Sequence, residues 1–274
     1  MNPAFALAEV VWIVQGREDS EFVNYFNPRL PDFAGDGPTY HGAYGHRLRQ
    51  RLGGDQLKQA AAALHSNPGS RQVVLQIWDA ARDLPLGDGH PRAKDIPCNV
   101  AAMLKVRYGR LEWTQVMRSN DLVRGLPHNI VQFTSLQEVM AGWLGLEVGS
   151  YNHLSDSLHI YESEFPSVDK VRGLSLPANV EDLRLSLPQS EAVFGQLEEN
   201  VAQMVDTRNS PDELIRQLSS SGLATPYRNW LAILTADACR RRNEATAAND
   251  AAERCSNPSL RFLWQRWLDR RKCR

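Results

Sequence analysis

Pro97-Cys98-Asn99 puts a cysteine directly after a long polar loop and at the start of an apolar stretch, where its sulfur can sit at the rim of a cavity. A lone cysteine among apolar residues is more often inert core. It becomes a nucleophile where positive neighbours favour the thiolate. Met117-Arg118-Ser119-Asn120-Asp121 supplies such a neighbour. A guanidinium beside a hydroxyl at a strand end can hold a phosphate, the arginine bidentately. The competing reading is an exposed turn with an Arg118–Asp121 ion pair. In Gly125-Leu126-Pro127-His128-Asn129-Ile130, Asn129 stands at the mouth of a helix and could be its N-cap. Its amide also offers one donor and one acceptor, the pattern that reads N3–H and O4 of a uracil. His159 and Tyr161, two apart on a strand, face one side and can donate to a sugar hydroxyl. His153, Asp156 and His159 lack the carboxylate spacing and third ligand a metal site needs.

These residues need a sheet to carry them and a helix to cover it. Phe5 to Val14 is an apolar run that reads as a buried helix ended by Gly16, and Asp55 to His65 as a second helix closed by Asn67-Pro68-Gly69. Residues 25–46 and 79–96 read as loops. Arg71–Trp78, Cys98–Val106, Leu111–Arg118 and Val148–Tyr161 read as strands, the middle pair joined at Tyr108-Gly109. Asn129–Leu144 is a long helix stopped by Gly145. The expected fold is α+β, a twisted, mixed or antiparallel sheet flanked by helices. Beyond about residue 185 the pattern is helical, over Glu191–Val205, Pro211–Leu218, Tyr227–Ala252 and Ser259–Lys272. We therefore expect a catalytic domain over 1–185 and an α-helical C-terminal extension over 186–274. Its last stretch, 261–272, is basic and amphipathic. A docked helix with snorkelling arginines is favoured there over a partner- or membrane-binding segment.

The chain has 274 residues, enough to bury a sizeable core. A net charge of −1 gives no global field for nucleic acid or anionic membrane, so any phosphate must be held by local arginines. No apolar run is long enough to span a bilayer and no signal peptide is expected. The cysteines, at 98, 239, 255 and 273, form no CxxC pair. That disfavours a zinc site or disulfide framework and fits a reducing cytoplasm.

Taken in order, Pro97-Cys98, Met117-Arg118-Ser119-Asn120-Asp121, Gly125-Leu126-Pro127-His128-Asn129-Ile130 and His159-Ile160-Tyr161 resemble thymidylate synthase and its hydroxymethylase relatives. Upstream, Glu9-Val10-Val11-Trp12-Ile13-Val14-Gln15-Gly16 is similar to the family's glutamate-bearing helix, Tyr44-Gly45 to its tyrosine-glycine loop and Ser70-Arg71-Gln72 to its paired-arginine strand. The resemblance covers roughly residues 4–165. It implies that Cys98 attacks C6 of a pyrimidine nucleotide while Glu9 and Tyr44 organise water and proton transfers around C4 and C5. Arg118 and Ser119 would hold the 5′-phosphate, Asn129 the base, and His159 and Tyr161 the ribose. Asp121 matches an aspartate near folate. Arg71 would reach the phosphate in a partner subunit, which implies a homodimer. Addition of a thiolate at C6 turns C5 into an enolate-like nucleophile, able to accept a one-carbon unit from 5,10-methylenetetrahydrofolate. Hydride then gives methyl, and water gives hydroxymethyl.

The chain departs from that pattern in six places. It begins inside the first motif, without the family's N-terminal arginine loop. His128 replaces an aromatic, Asn99 a histidine and Gln72 the second arginine. A helical extension stands in place of the apolar closing tail, and Phe26-Asn27 where a tryptophan is usual. These departures make methyl and hydroxymethyl products about equally expected. Cytosine-acting hydroxymethylases carry an acid at the Asn129 position, so dUMP is preferred over the alternatives dCMP and CMP. A non-catalytic nucleotide-binding or regulatory protein on the same scaffold is the alternative of another class.

Overall fold

The structure is a computed structural model that describes residues 1–169 and 173–272; Cys273 lies outside them. Helix α1 (Pro3–Val14) begins at Asn2, whose side chain accepts from the Ala4 N–H, and every residue in it except Glu9 is buried. A helix that is apolar all round belongs inside a protein. Here α1 runs between α7 (Leu126–Leu144) on one side and the C-terminal helices α9 (Leu187–Val205), α11 (Thr225–Arg241) and α13 (Pro258–Lys272) on the other. The expected loop after α1 contains short helices α2 (Ser20–Asn24), α3 (Pro31–Ala34) and α4 (Tyr44–His46), then a π-type turn over Arg47–Arg51. Helix α5 (Gln56–Ser66) follows, capped by Asp55.

The sheet has four strands in the order β1-β2-β3-β4. β1 (Val74–Gln76) is antiparallel to β2 (Asn99–Arg107), and β2 to β3 (Arg110–Asp121), with Val74 opposite Met103 and Leu104 opposite Trp113. A short helix α6 (Ala80–Asp83) lies between β1 and β2. The β2–β3 hairpin turns through Tyr108 and Gly109, both with positive φ (52° and 71°). Two such residues give the turn that matches strand twist. β4 (Glu147–His159) lies parallel to β3, Val116 opposite Leu154, and α7 makes the crossover that parallel pairing requires. The mixed sheet is thus produced by one helical crossover.

Helix α7 covers one face of the sheet, over Leu104, Leu111 and Trp113. The opposite face is uncovered: Val74, Leu154 and Leu158 are each more than half exposed. Past β4 come α8 (Phe165–Asp169) and the C-terminal helices. The helical pattern of 227–252 is interrupted at Arg242–Glu244, where Asn243 has φ 63°, so α11 and α12 (Ala245–Glu253) fold back as a pair beside α10 (Pro211–Ser220). In α13, Trp264 is buried and the Arg240 guanidinium lies 4.9 Å above the Trp267 ring.

Candidate active site

Cys98 sits at the entrance to β2, half-buried, its carbonyl accepting from the Arg118 N–H of β3 at 2.9 Å. The Arg118 side chain folds back over the same corner. Its Nε donates to the Pro97 carbonyl (3.0 Å) and an Nη to the Ile96 carbonyl (2.9 Å). The expected alternative, an Arg118–Asp121 ion pair, is not what forms: the Asp121 carboxylate accepts the backbone N–H groups of Val123 and Arg124. Burial pushes the Cys98 thiol up, the Arg118 charge pulls it down, and the nearby Asp95 carboxylate adds to the upward push. The resting group is therefore the protonated thiol, and positive charge is what activates it.

Tyr44 is set beside this sulfur by α4. Gly45 makes that possible, because a side chain there would run into the Ile13 backbone of α1. Burial first, then the fields of Cys98, Asp95 and Glu9, push the Tyr44 hydroxyl far up, while its hydrogen bond to Asn99 opposes them. It is a neutral donor at any working pH. Asp95 is fixed by the Gly42 N–H, which donates to its carboxylate at 2.8 Å. Asp95→Asn keeps that acceptor and removes the charge. We expect its Cys98 to react with iodoacetamide roughly two- to fivefold faster at pH 8. Peptide mass mapping checks this, with Cys239 and Cys255, pushed up to about 11 by burial, remaining unlabelled.

Asn129 is a fourth-position residue inside α7, not its N-cap; Gly125 takes that place and accepts the Asn129 N–H at 3.0 Å. The side chain is thereby freed for a line of buried amides. Trp113 Nε1 donates to Gln115 Oε1 (3.0 Å), and Gln115 Nε2 to Asn99 Oδ1 (3.0 Å). Asn99 Nδ2 points to Asn129 Oδ1 (3.5 Å), and Asn129 Nδ2 donates to Asn120 Oδ1 (3.2 Å). Asn120 Nδ2 then donates to Ser155 Oγ and His153 Nε2, both at 3.1 Å. Since His153 Nε2 accepts, its proton is on Nδ1, facing the Tyr151 hydroxyl at 2.9 Å. Burial lowers the His153 pKa, consistent with that neutral form. Each carboxamide's orientation is dictated by the one before it, so Asn129 is presented in a single sense.

Gln115, Asn120, Asp95, His153 and Tyr151 were not singled out as site residues from sequence. A usable signal existed for Gln115: it is the polar member of the inward series Leu111, Trp113, Gln115, Met117 on β3. Ser119, Asp121 and His159 lie together at the far end of the β3–β4 pair, Asp121 opposite His159 and Ser119 opposite Ser157. Tyr161 meets His159 edge-to-face at 5.6 Å and stands 56 % exposed. Arg71 is elsewhere. It is exposed, ahead of β1, and the register places it level with residue 106 near the hairpin end of the sheet, about eight residues or ~26 Å along the strand from Cys98.

Glu9 and His128 face each other across the α1–α7 contact, Oε2 to Nδ1 at 3.2 Å. Both atoms are buried and neither has a hydrogen-bond partner among the described residues, the 3.2 Å approach being an ion-pair contact that falls short of hydrogen-bond geometry. Beside Arg118, the residues Trp78, Pro85, Pro91, Lys94 and Ile96 help to line a cleft of about 390 Å³. No cluster of His, Cys, Asp or Glu able to hold a metal occurs among the described residues, and none of their helices is long and apolar enough to cross a membrane.

Comparison with known proteins places the sequence. A family profile described as thymidylate synthase matches residues 1–206. The chain is 40 % identical over 176 residues to a deoxyuridylate hydroxymethyltransferase of Pseudomonas phage M6, covering 64 % of this chain and 49 % of that one. It is 36 % identical over 192 residues to a protein of the same name from Bacillus phage SP01, with the same coverage. A thymidylate synthase of Symbiobacterium thermophilum is 30 % identical over 220 residues, 74 % of each chain. The chain spans about half the length of the two phage relatives.

Proposed function

Because the chain belongs to the thymidylate synthase family, we propose that it transfers a one-carbon unit to C5 of dUMP through a covalent Cys98–C6 adduct, with hydroxymethyl as the product. The observation that carries this reading is one corner of the sheet, where the Arg118 guanidinium acts on the Cys98 sulfur and the oriented Asn129 amide reaches Asn99, the residue next to Cys98. The phage relatives' names support both the uracil base and the hydroxymethyl outcome. Asn129 favours uracil over the cytosine of dCMP or CMP, because its fixed donor and acceptor complement N3–H and O4.

In this reading Arg118 and Ser119 hold the phosphate, and the Arg118 charge also favours the thiolate of Cys98. Sulfur adds to C6, and the electron pair moves through C5 toward the C4 carbonyl. Tyr44 and Glu9 supply proton transfers beside that carbonyl. His159 and Tyr161 donate to the sugar. The family implies a folate, and we take it to be 5,10-methylenetetrahydrofolate, which when bound supplies the one-carbon unit. The cleft fits such a group: its walls are an indole and prolines, the Trp78 N–H is buried without a partner among the described residues, and Lys94 offers a cation for a carboxylate. Asp121, three residues beyond Arg118 on β3, is already committed to two backbone N–H groups.

The uncovered apolar face of the sheet supports a homodimer. In it Arg71, remote from Cys98 in its own chain, would meet the phosphate held by the partner. We assign catalysis to residues 1–185 and read 186–274 as a helical extension that backs α1. The free thiols of Cys98, Cys239 and Cys255 fit a cytoplasmic protein.

Incubation of dUMP, dCMP and CMP with methylenetetrahydrofolate, followed by mass analysis of the nucleotide, tests the reading. Gain of CH₂O by dUMP is expected. Gain of CH₂ would correct the product, and no gain on any of the three would overturn the reaction.

A further inference from the structure

Glu9 is the one residue of α1 that is not buried, and its Oε2 lies 3.2 Å from His128 Nδ1, both atoms buried and otherwise without a hydrogen-bond partner among the described residues. A bare carboxylate oxygen 3.2 Å from a bare ring nitrogen is untenable in a buried setting unless a proton lies between them. That proton puts Nδ1 in the donor role and leaves Nε2 as the basic nitrogen. A carboxylate behind an imidazole in this way fixes both tautomer and ring direction. The Phe5 ring packs against the imidazole at 5.0 Å and restrains it further. The chain neighbour of His128 is Asn129, whose amide direction is dictated by the buried line from Trp113. Glu9, for its part, lies in the field of the Tyr44 hydroxyl. His128 thus adjoins Glu9 and Asn129, two of the groups assigned to the nucleotide.

Resting on the function proposed above, we propose that His128, oriented by Glu9, is the general base that adds water to the one-carbon group at C5. The acceptor is the C6-thioether form of the nucleotide, which carries an exocyclic methylene on C5. His128 Nε2 takes a proton from water as the oxygen bonds to the methylene carbon. The π pair moves onto C4–O as an enolate. Collapse of the enolate restores C5=C6 and expels the Cys98 thiolate. No oxidant or reductant is consumed, and the proton on His128 returns to solvent.

The same steps run backwards without folate. With 5-hydroxymethyl-dUMP alone, thiolate adds at C6 and His128 protonates the departing hydroxyl as water. In H₂¹⁸O the enzyme should therefore place ¹⁸O in the hydroxymethyl group, read by mass spectrometry. His128→Phe preserves ring shape and removes the base, so exchange should fall about 10²- to 10⁴-fold. Nucleotide affinity, measured by calorimetry, should stay within about threefold, and the mass adduct with 5-fluoro-dUMP should persist. With methylenetetrahydrofolate added, product should shift from CH₂O toward CH₂ or stall as adduct. Exchange within about threefold of wild type in His128→Phe overturns the proposal. If that variant loses nucleotide binding, His128→Gln, polar but not basic, decides by the same criterion. A wild-type enzyme that forms the 5-fluoro-dUMP adduct but never exchanges ¹⁸O overturns the role of His128 and leaves Cys98 catalysis standing. Absence of any adduct removes both.

Discussion

Cys98→Ala should form no covalent complex with 5-fluoro-dUMP and methylenetetrahydrofolate, and its turnover should fall by about 10⁴-fold or more, the scale on which removing a nucleophile acts. Fluorine at C5 cannot leave as a proton does, so the wild-type complex stops with sulfur on C6 and appears as an added mass on the intact chain. The variant keeps Arg118, Ser119 and Asn129, so dUMP affinity should change by only a few fold. Loss of the thiol removes no buried hydrogen bond, since the contact Cys98 makes is through its carbonyl. Melting temperature should accordingly move little. An adduct that survives in Cys98→Ala would mean another nucleophile. The other described thiols, Cys239 and Cys255, are fully buried in the helical part of the chain, which makes that outcome a clear contradiction of the reading.

The motifs were legible in sequence because each couples a special residue to a special local geometry. Cys98 follows a loop and Tyr108-Gly109 turns a hairpin, both where the spacing puts them, while the helix expected from Asn129 opens three residues earlier, at Leu126. The α+β class was readable for the same reason, since strand and helix periods alternate clearly along 71–161. What stayed hidden depends on contacts between distant segments. Asn129 reads as an N-cap locally, and only the meeting of β2, β3 and α7 turns its amide toward Asn99 and Asn120. Asp95 looks like a loop acid until Gly42, 53 residues earlier, donates to it. His128 was noted as a departure from an aromatic, but its partnership with Glu9 needs α1 and α7 side by side. Tyr227–Ala252 read as one helix because Arg242–Glu244 contains no glycine or proline. The break is made instead by Asn243 in the left-handed region, a conformation asparagine tolerates better than most.

Arg47→Met should be the most destabilising single change, with a loss of about 3–5 kcal/mol. Arg47 is fully buried behind the site and forks onto Asp83 at 2.7 and 3.0 Å, while also donating to the carbonyls of Ile77 and His41. Asp83 is equally buried, held as well by His41 Nε2 and the Asp79 N–H, both at 2.7 Å. Burial alone would raise the Asp83 carboxyl, but the hydrogen bonds from Arg47, Asp79 and His41 outweigh it and hold the pKa below the ordinary value. A depressed folded pKa gives stability that is present above the unfolded carboxylate pKa of about 3.9 and is lost as pH falls through the folded value. Removing Arg47 reverses that sign, because an isolated buried carboxylate prefers its proton. The gap between wild type and Arg47→Met should therefore be widest near neutrality and narrow below about pH 4. At neutral pH the melting temperature should drop by roughly 6–20 °C for a chain of this size. Replacing both partners, Arg47→Met with Asp83→Leu, should recover much of the loss, since no charge is then stranded. A constant gap across pH, or no recovery in the pair, would show that Arg47 acts by filling space rather than by neutralising Asp83. The effect should also reach the site: Arg47 holds the His41 carbonyl, the next residue Gly42 positions Asp95, and Asp95 sets the field on Cys98. In Arg47→Met, alkylation of Cys98 should change along with stability, whereas alterations confined to the helices behind α1 should leave it untouched.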